Sequence, residues 1–189
     1  MLTRTELSKN KGLVFKKTYG ALIGLAIGDS MGDQARSEDS HERYGITVDL
    51  EQNGSWSTDD TEFSLMVAKQ LIDHKGILTD EIVVDAWLKY VVSTRNLGNK
   101  TGESEKGAAL NLLRGLRPPV SGSDNSYALS DGAAMRTTPI GIVNAGHAQE
   151  AARMAQIDAQ VSHCQDGIWG AQAVAASVSA AMVNATVEE

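Results

Sequence analysis

The chain has 189 residues, a formal net charge of −7 and a sequence pI of about 5.1. The length suits one domain with its own hydrophobic core, and the acidic balance excludes a sequence-independent nucleic-acid binder, which needs a basic surface. Cys164 is the single cysteine, so an internal disulfide and a cysteine-rich zinc site are also excluded.

The N-terminal third of the chain favours a soluble, cytoplasmic protein. Residues 1–17 are basic, and no signal-peptide apolar region follows them directly. The run YGALIGLAIG, residues 19–28, is too short to span a bilayer and is followed by Asp29. We therefore expect no membrane contact.

Helical periodicity dominates the chain, and its alanine-rich windows favour helix because Ala has the highest helix propensity. No linker and no second domain are indicated. The sequence therefore predicts one all-α domain over residues 1–189, with residues 1–12 as a flexible tail. Helices are predicted over residues 13–31, 59–74, from Thr79 onwards, 104–115, 133–144, 147–161 and 167–185.

Polar stretches separate these predicted helices. Residues 33–56 are polar. Within them, residues 35–45 are predicted to form a loop, and a short extended piece is predicted at 46–50, where apolar residues alternate. Residues 95–107 are rich in glycine and polar side chains. Residues 117–132 are predicted to be irregular because they combine two prolines with many turn formers.

Glycines recur every four residues in the first long helix, at Gly20, Gly24, Gly28 and Gly32. On a helix they form a row without side chains, which predicts close approach of another helix. A phosphate-binding loop is poorly supported, because no Lys-Ser/Thr pair follows the glycines and no strand pattern precedes them.

The stretch STDDTE, residues 57–62, places two adjacent carboxylates at a predicted helix start. Its spacing resembles a capping box that begins at Ser57 or Asp59, and the helix dipole favours acidic residues in a first turn. Neighbouring Asp59 and Asp60 repel each other, however. With Thr58 they form a cluster of hard oxygen ligands of the kind that Mg²⁺ or Mn²⁺ prefers. A helix cap and part of a metal site both stay open.

A second candidate is SDGAAMRTTPIG, residues 130–141. A helix start near Ala133 would present free backbone N–H groups to an anion such as a phosphate, and Arg136 could add a positive charge. The alternative is a local cap with an exposed arginine, which the residues alone favour.

The third candidate is VSHCQDG, residues 161–167. A lone histidine between two helices is usually a helix C-terminal partner or a hydrogen-bonding group of the core. Cys164 and His163 are adjacent and are not expected to face each other, which excludes a thiol nucleophile pair.

Four motifs in order, GALIGLAIGDSMG, WSTDDTE, GAAMRTTPIGI and VSHCQDG, resemble the ADP-ribosylglycohydrolase family from about Thr18 to about Met182. The resemblance implies an all-α fold and hydrolysis of the glycosidic bond between ADP-ribose and a protein side chain or a small acceptor. It also implies two Mg²⁺ or Mn²⁺ ions as cofactors, and ADP-ribose or an ADP-ribosylated protein as the partner.

The resemblance also implies roles for eight residues. Asp59 and Asp60 are expected to bind metal and to act in catalysis, one of them taking a proton from a water molecule. Thr58 is expected to add a neutral oxygen ligand to the metal. The substrate is expected to lie against Gly132, Ala133, Ala134, Met135 and His163.

Three departures from the family pattern predict an incomplete site. Arg36 stands where members commonly carry Glu, and Asp131 stands where Asn is usual. The late D-x-D-[TS] run that supplies the remaining metal ligands in the family is absent from this sequence, which is C-terminally short by comparison. The alternatives are a hydrolase completed by a missing C-terminal segment or a second chain, and a non-catalytic ADP-ribose-binding or structural relative.

Overall fold

The structure, a computed structural model, describes residues 1–36, 38–45, 56–93, 101–186 and 188. These ranges contain helices and no β-strand, which confirms the predicted all-α fold. A π-helical turn, Leu88–Val92, follows the helix Asp80–Trp87 directly, and a 3₁₀ turn, Ala134–Arg136, precedes the helix Thr138–Val143. The described helices are α1 (Arg4–Lys9), α2 (Lys11–Gln34), α3 (Glu38–Tyr44), α4 (Asp59–Asp73), α5 (Asp80–Trp87), α6 (Glu103–Leu113), α7 (Val120–Ser123), α8 (Thr138–Val143), α9 (Ala148–Ala159) and α10 (Asp166–Met182).

The main hydrophobic core lies where α4, α5, α6, α9 and α10 meet. Trp87 is fully buried, and its ring centre lies 5.4 Å from that of Phe63 on α4. Each large apolar side chain buried in this way contributes about 1.5–3 kcal/mol. The core therefore fixes the position of α4, the helix that begins with the acidic run.

Two regions predicted to lack helix need correction. The predicted loop over 35–45 contains α3, whose acidic first turn and basic last turn complement the helix dipole. The extended piece predicted at 46–50 lies outside the described residues. The short helix α7 lies within the region predicted to be irregular, 117–132.

The predicted helix over 133–144 is interrupted. It consists of the 3₁₀ turn followed by α8, whose first turn contains Pro139. A proline inside a continuous helix lacks an N–H donor and clashes with the preceding turn, but it fits the first turn of a new helix. The break therefore falls just before this residue.

Residues 1–12, for which a flexible tail is expected, contain α1. Its Leu7 is buried against Met182 and Val183, and the N–H of Leu2 donates to the carbonyl of Val183 at 2.7 Å. The first helix thus contacts the end of α10. No helix in the described ranges is both long and apolar enough to cross a membrane.

The glycines of α2 and the glycine of α8 have different surroundings among the described residues. A Cβ added at Gly24 would meet no described atom within 4 Å, and the same holds for the other glycines of its row, so the expected close helix contact is absent among the described residues. At Gly141 on α8, an added Cβ would lie 2.5 Å from the Cβ of Val178. Close packing on glycine therefore occurs between α8 and α10.

We expect Gly141→Ala to lower the free energy of unfolding by about 1–3 kcal/mol, because the methyl group overpacks the contact with α10. The matched variant Gly24→Ala should raise it by about 0.5–1 kcal/mol, because Ala favours helix and meets no neighbour. Urea unfolding of both variants measures the difference. Equal effects would contradict this packing.

Candidate functional site

A cleft of about 470 Å³ opens between α2, the start of α4, the 3₁₀ turn and α10. Most side chains that line it are apolar, and among the described residues its carboxylates are those of Asp60 and Asp131. Small-molecule sites commonly enclose about 300–1,000 Å³ and combine apolar walls with a few polar groups. The cleft therefore has the size and character of such a site.

The carboxylate of Asp29, on α2, organises the start of α4. It accepts hydrogen bonds from the backbone N–H of Thr58 at 2.8 Å and of Thr61 at 3.2 Å. The hydroxyl groups of both threonines also donate to it, that of Thr61 at 2.5 Å. The free N–H groups of a helix start need acceptors. Here another helix supplies the acceptor.

The predicted capping boxes at Ser57 and Asp59 are therefore wrong. Thr58 is the N-cap residue of α4, but its side chain makes no capping hydrogen bond because its hydroxyl donates to Asp29. Asp29 was not among the residues predicted to be functional. Its only signal in the sequence was its place directly after Gly28, in the motif GDSMG.

Asp29 and Asp60 have opposite pKa shifts. Burial alone would raise the pKa of Asp29, but the hydrogen bonds from Thr58 and Thr61 outweigh it and hold the pKa below the usual value. Burial raises the pKa of Asp60, and the charges of Asp29 and Asp59 raise it further. Ionised Asp29 therefore stabilises the fold until the pH falls through its folded-state pKa. Ionised Asp60 destabilises the fold above its own raised pKa.

Adjacent Asp59 and Asp60 point in different directions. Asp60 opens into the cleft, whereas Asp59 is 8% exposed and its Oδ2 accepts a hydrogen bond from the N–H of Gly102 at 3.1 Å. The guanidinium of Arg36 lies 4.0 Å from Asp59 Oδ1. The structure thus does not bring both carboxylates of the acidic run into the cleft.

Arg136 is fully buried and does not face the cleft, so both interpretations of it, an anion ligand and an exposed side chain, are wrong. Its Nε donates to the carboxylate of Asp158 at 2.6 Å, and its Nη1 donates to the carbonyl of Gly132 at 3.2 Å. The guanidinium also lies over the ring of Trp87, 5.2 Å from its centre. Arg136 therefore ties the segment before α8 to α9 and to the core.

His163 is fully buried between two hydroxyl groups and is not among the residues that line the cleft. Its Nδ1 lies 2.7 Å from the hydroxyl oxygen of Ser162, and its Nε2 lies 3.1 Å from that of Ser130. Burial, and then the positive charge of Arg136, lower the pKa of His163 to about 3. The imidazole is therefore neutral at physiological pH and holds the loop at Ser130.

The four residues predicted to contact substrate in the segment 132–135 take different positions. Ala134 and Met135 line the cleft, whereas Ala133 is fully buried. Gly132 packs tightly, since an added Cβ would lie 2.5 Å from Oε1 of Glu105. The predicted helix start near Ala133 is a 3₁₀ turn of three residues, so no long helix presents its N-terminus to an anion here.

Glu105 is a buried acidic residue that the sequence analysis missed. It is 1% exposed, and its Oε2 accepts a hydrogen bond from the hydroxyl of Ser104 at 2.9 Å. Its Oε1 lies 3.7 Å from Nη1 of Arg136 and has no hydrogen-bond partner among the described residues. It lies in the stretch GESEKG, residues 102–107. All residues there are polar or glycine, so the sequence did not indicate that any of them is buried.

Comparisons with known proteins agree with the motif pattern. Residues 11–189 match the protein family described as ADP-ribosylglycohydrolase, which confirms the resemblance. An uncharacterized protein of Archaeoglobus fulgidus is 28% identical to the chain over 185 residues. This match covers 92% of the chain and 58% of that relative, so the chain spans little more than half of the relative's length. No solved structure gave a significant match.

We expect Arg136→Ala to lower the free energy of unfolding by about 3–5 kcal/mol, because it leaves the Asp158 carboxylate buried and without its cation. The control Arg153→Ala removes an ion pair with Glu150 of 2.5 Å, but there the arginine side chain is 60% exposed. Such a pair contributes little. Guanidinium unfolding of both variants measures the contrast, and similar losses would contradict the role given to Arg136.

Proposed function

Because the chain belongs to the ADP-ribosylglycohydrolase family, we propose that its cleft binds ADP-ribose and contributes to hydrolysis of the glycosidic bond to a protein side chain or a small acceptor. The observation that carries the proposal is the carboxylate of Asp60, which lines the same cleft as Ala134 and Met135. Two motifs that are distant in sequence thus meet in one cleft of ligand size.

The oxygen atoms at the start of α4 fit one side of a divalent-metal site. Asp60 faces the cleft, and the hydroxyl oxygen of Thr58 lies 3.4 Å from its Oδ2. Carboxylate and hydroxyl oxygens suit Mg²⁺ or Mn²⁺, but an octahedral ion needs about six ligands. Among the described residues, no group of three or more His, Cys, Asp or Glu side chains is placed to hold a metal ion. Asp60 and Thr58 would therefore supply part of the ligand set.

Asp59 is the weaker candidate for both of its expected roles. Its carboxylate is engaged by the N–H of Gly102 and lies beside Arg36. A metal ligand at this position would have to turn away from that hydrogen bond. The proposed metal and catalytic roles therefore rest on Asp60 first.

In the proposed hydrolysis, the oxygen of a water molecule forms a bond to the anomeric carbon while the bond from that carbon to the leaving nitrogen or oxygen breaks. Asp60 accepts the proton that the water loses, and the leaving group takes up a proton from solvent. The negative charge of Asp60 also stabilises the oxocarbenium-like transition state. A bound divalent ion would polarise the water and orient the ribose hydroxyls.

Binding without hydrolysis is a second candidate, which the position of Arg36 favours. Its guanidinium, in a side chain that is 64% exposed, is 4.0 Å from Asp59 and 3.7 Å from Asp33, so a positive charge of the protein itself already lies beside part of the acidic run. A cation of the protein lowers the affinity for a second cation nearby, since like charges repel. The chain also spans only 58% of the relative's length, so the activity of a longer protein need not belong to this part alone.

Calorimetric titration with ADP-ribose tests the proposed function. We expect binding that strengthens when Mg²⁺ is added, and we expect Asp60→Asn to weaken binding in Mg²⁺ by about tenfold or more, because it removes a charged ligand. The control Asp73→Asn, at the exposed far end of α4, should bind as the wild type does.

Equal affinity of the wild type and Asp60→Asn in Mg²⁺ would contradict the role of Asp60. Binding that does not depend on Mg²⁺, without release of ADP-ribose from an ADP-ribosylated arginine peptide, would favour the second candidate.

A further inference from the structure

Arg36, which follows α2, lies between carboxylates of two different helices. Its Nε is 3.7 Å from Oδ1 of Asp33 on α2, and its Nη2 is 4.0 Å from Oδ1 of Asp59 on α4. The planar guanidinium carries several N–H donors, so one group can face both carboxylates. Arg36 is therefore a counter-ion that the end of α2 and the start of α4 share.

Neutral donors orient both of these carboxylates. Oδ2 of Asp33 accepts a hydrogen bond from the indole N–H of Trp56 at 2.7 Å, and Oδ2 of Asp59 accepts one from the N–H of Gly102 at 3.1 Å. The Oδ1 atom of each carboxylate is the one that faces the guanidinium of Arg36. Both negative charges thus converge on the position that this guanidinium occupies.

Four carboxylates lie close together at this junction of α2 and α4, and we call Asp29, Asp33, Asp59 and Asp60 the acidic corner. The ion pairs that the described residues make with the acidic corner are the two of Arg36. Carboxylates this close together repel one another, and either a metal ion or a cation of the protein can offset the repulsion.

Another arginine of the chain shows that local spacing does not explain this arrangement. Arg153 also follows an acidic residue by three positions, and its side chain is 60% exposed, against 64% for Arg36. It donates two hydrogen bonds to Glu150, at 2.9 and 2.5 Å. Arg36 makes no such close pair with Asp33 and instead divides its charge between two helices.

We propose that the guanidinium of Arg36 takes the position of a divalent cation between Asp33 and Asp59, so that the acidic corner keeps a place for such an ion only at Asp60. An ion at Asp59 would have to displace a charge of the protein. An ion at Asp60 would not, because this carboxylate lines the cleft and makes no ion pair with Arg36. The inference rests on the proposed function only in taking the start of α4 as the metal-binding side.

The exposure of Arg36 decides which property its removal changes. Exposed ion pairs contribute little to the free energy of unfolding, so the fold does not depend on this arginine. The affinity for a divalent ion does depend on it, because Asp33 and Asp59 would face each other without their shared counter-ion. A variant without the charge should therefore fold normally and bind metal more tightly.

Titration of the 189-residue chain with Mn²⁺ alone, followed by the loss of the electron paramagnetic resonance signal of the free ion, tests the inference. In 0.15 M salt, which screens charges beyond about 8 Å, we expect Arg36→Gln to bind Mn²⁺ at least about tenfold more tightly than the wild type. The matched control Arg153→Gln should change the affinity less than about twofold, because its charge lies at another ion pair. Arg36→Lys keeps the charge and should bind as the wild type does.

The double variant Arg36→Gln/Asp59→Asn locates the gain. It should lose the gain in affinity, because one of the two released carboxylates is gone, and circular dichroism establishes that each variant folds. Equal Mn²⁺ affinity of the wild type and Arg36→Gln would overturn the inference, as would no binding by Arg36→Gln up to about 5 mM Mn²⁺. A gain that persists in the double variant would overturn it too.

Titration with ADP-ribose in metal-free buffer separates this role from direct ligand binding. We expect Arg36→Gln to bind ADP-ribose as the wild type does, and a loss of about tenfold would assign Arg36 to the ligand and overturn the inference. ADP-ribose binding that depends on Asp60, without a gain in Mn²⁺ affinity in Arg36→Gln, would contradict the inference alone. The gain without any ADP-ribose binding would contradict the proposed function alone.

Discussion

The hydrogen bonds that Asp29 accepts are the interaction on which the geometry of the site depends. One carboxylate on α2 receives the backbone N–H and the hydroxyl groups of both Thr58 and Thr61. It therefore caps α4 and joins this helix to α2 at the same time. With the helix start fixed, the next residues have little freedom. Asp59 turns to the N–H of Gly102, and Asp60 opens into the cleft.

The segment that contributes Ala134 and Met135 to the cleft depends on a second buried charge, that of Arg136. Arg136 joins Asp158 on α9 to the carbonyl of Gly132, and His163 holds the hydroxyl of Ser130 in the same loop. Removing one member of such a network is costly, because the remaining charge stays buried without a partner. The residues that touch the cleft, Met135 among them, are thus positioned by residues that do not touch it.

Local patterns predicted most of the fold, since the helical period marked α2, α4, α5, α9 and α10 and the all-α class. The cap of α4 and the burial of Arg136 depend on contacts between residues that are distant in sequence, which local patterns cannot show. Asp29 caps a helix that starts about thirty residues later, which no local capping rule detects. Arginines are usually exposed. Arg136 is buried because it forms an ion pair with Asp158 and a cation–π contact with the ring of Trp87. The family motifs pointed to Asp60 and Met135, which line one cleft, but they could not show the direction in which Asp59 points.

Asp29 and Asp60 lie close to each other at the start of α4, but their carboxylates have opposite environments. Titration of their side-chain carboxyl carbons by ¹³C NMR in metal-free buffer tests this most directly. The hydrogen bonds from Thr58 and Thr61 predict a pKa for Asp29 below that of an ordinary aspartate, and burial beside two other carboxylates predicts a raised pKa for Asp60. Two ordinary pKa values, or the reverse order, would contradict the account.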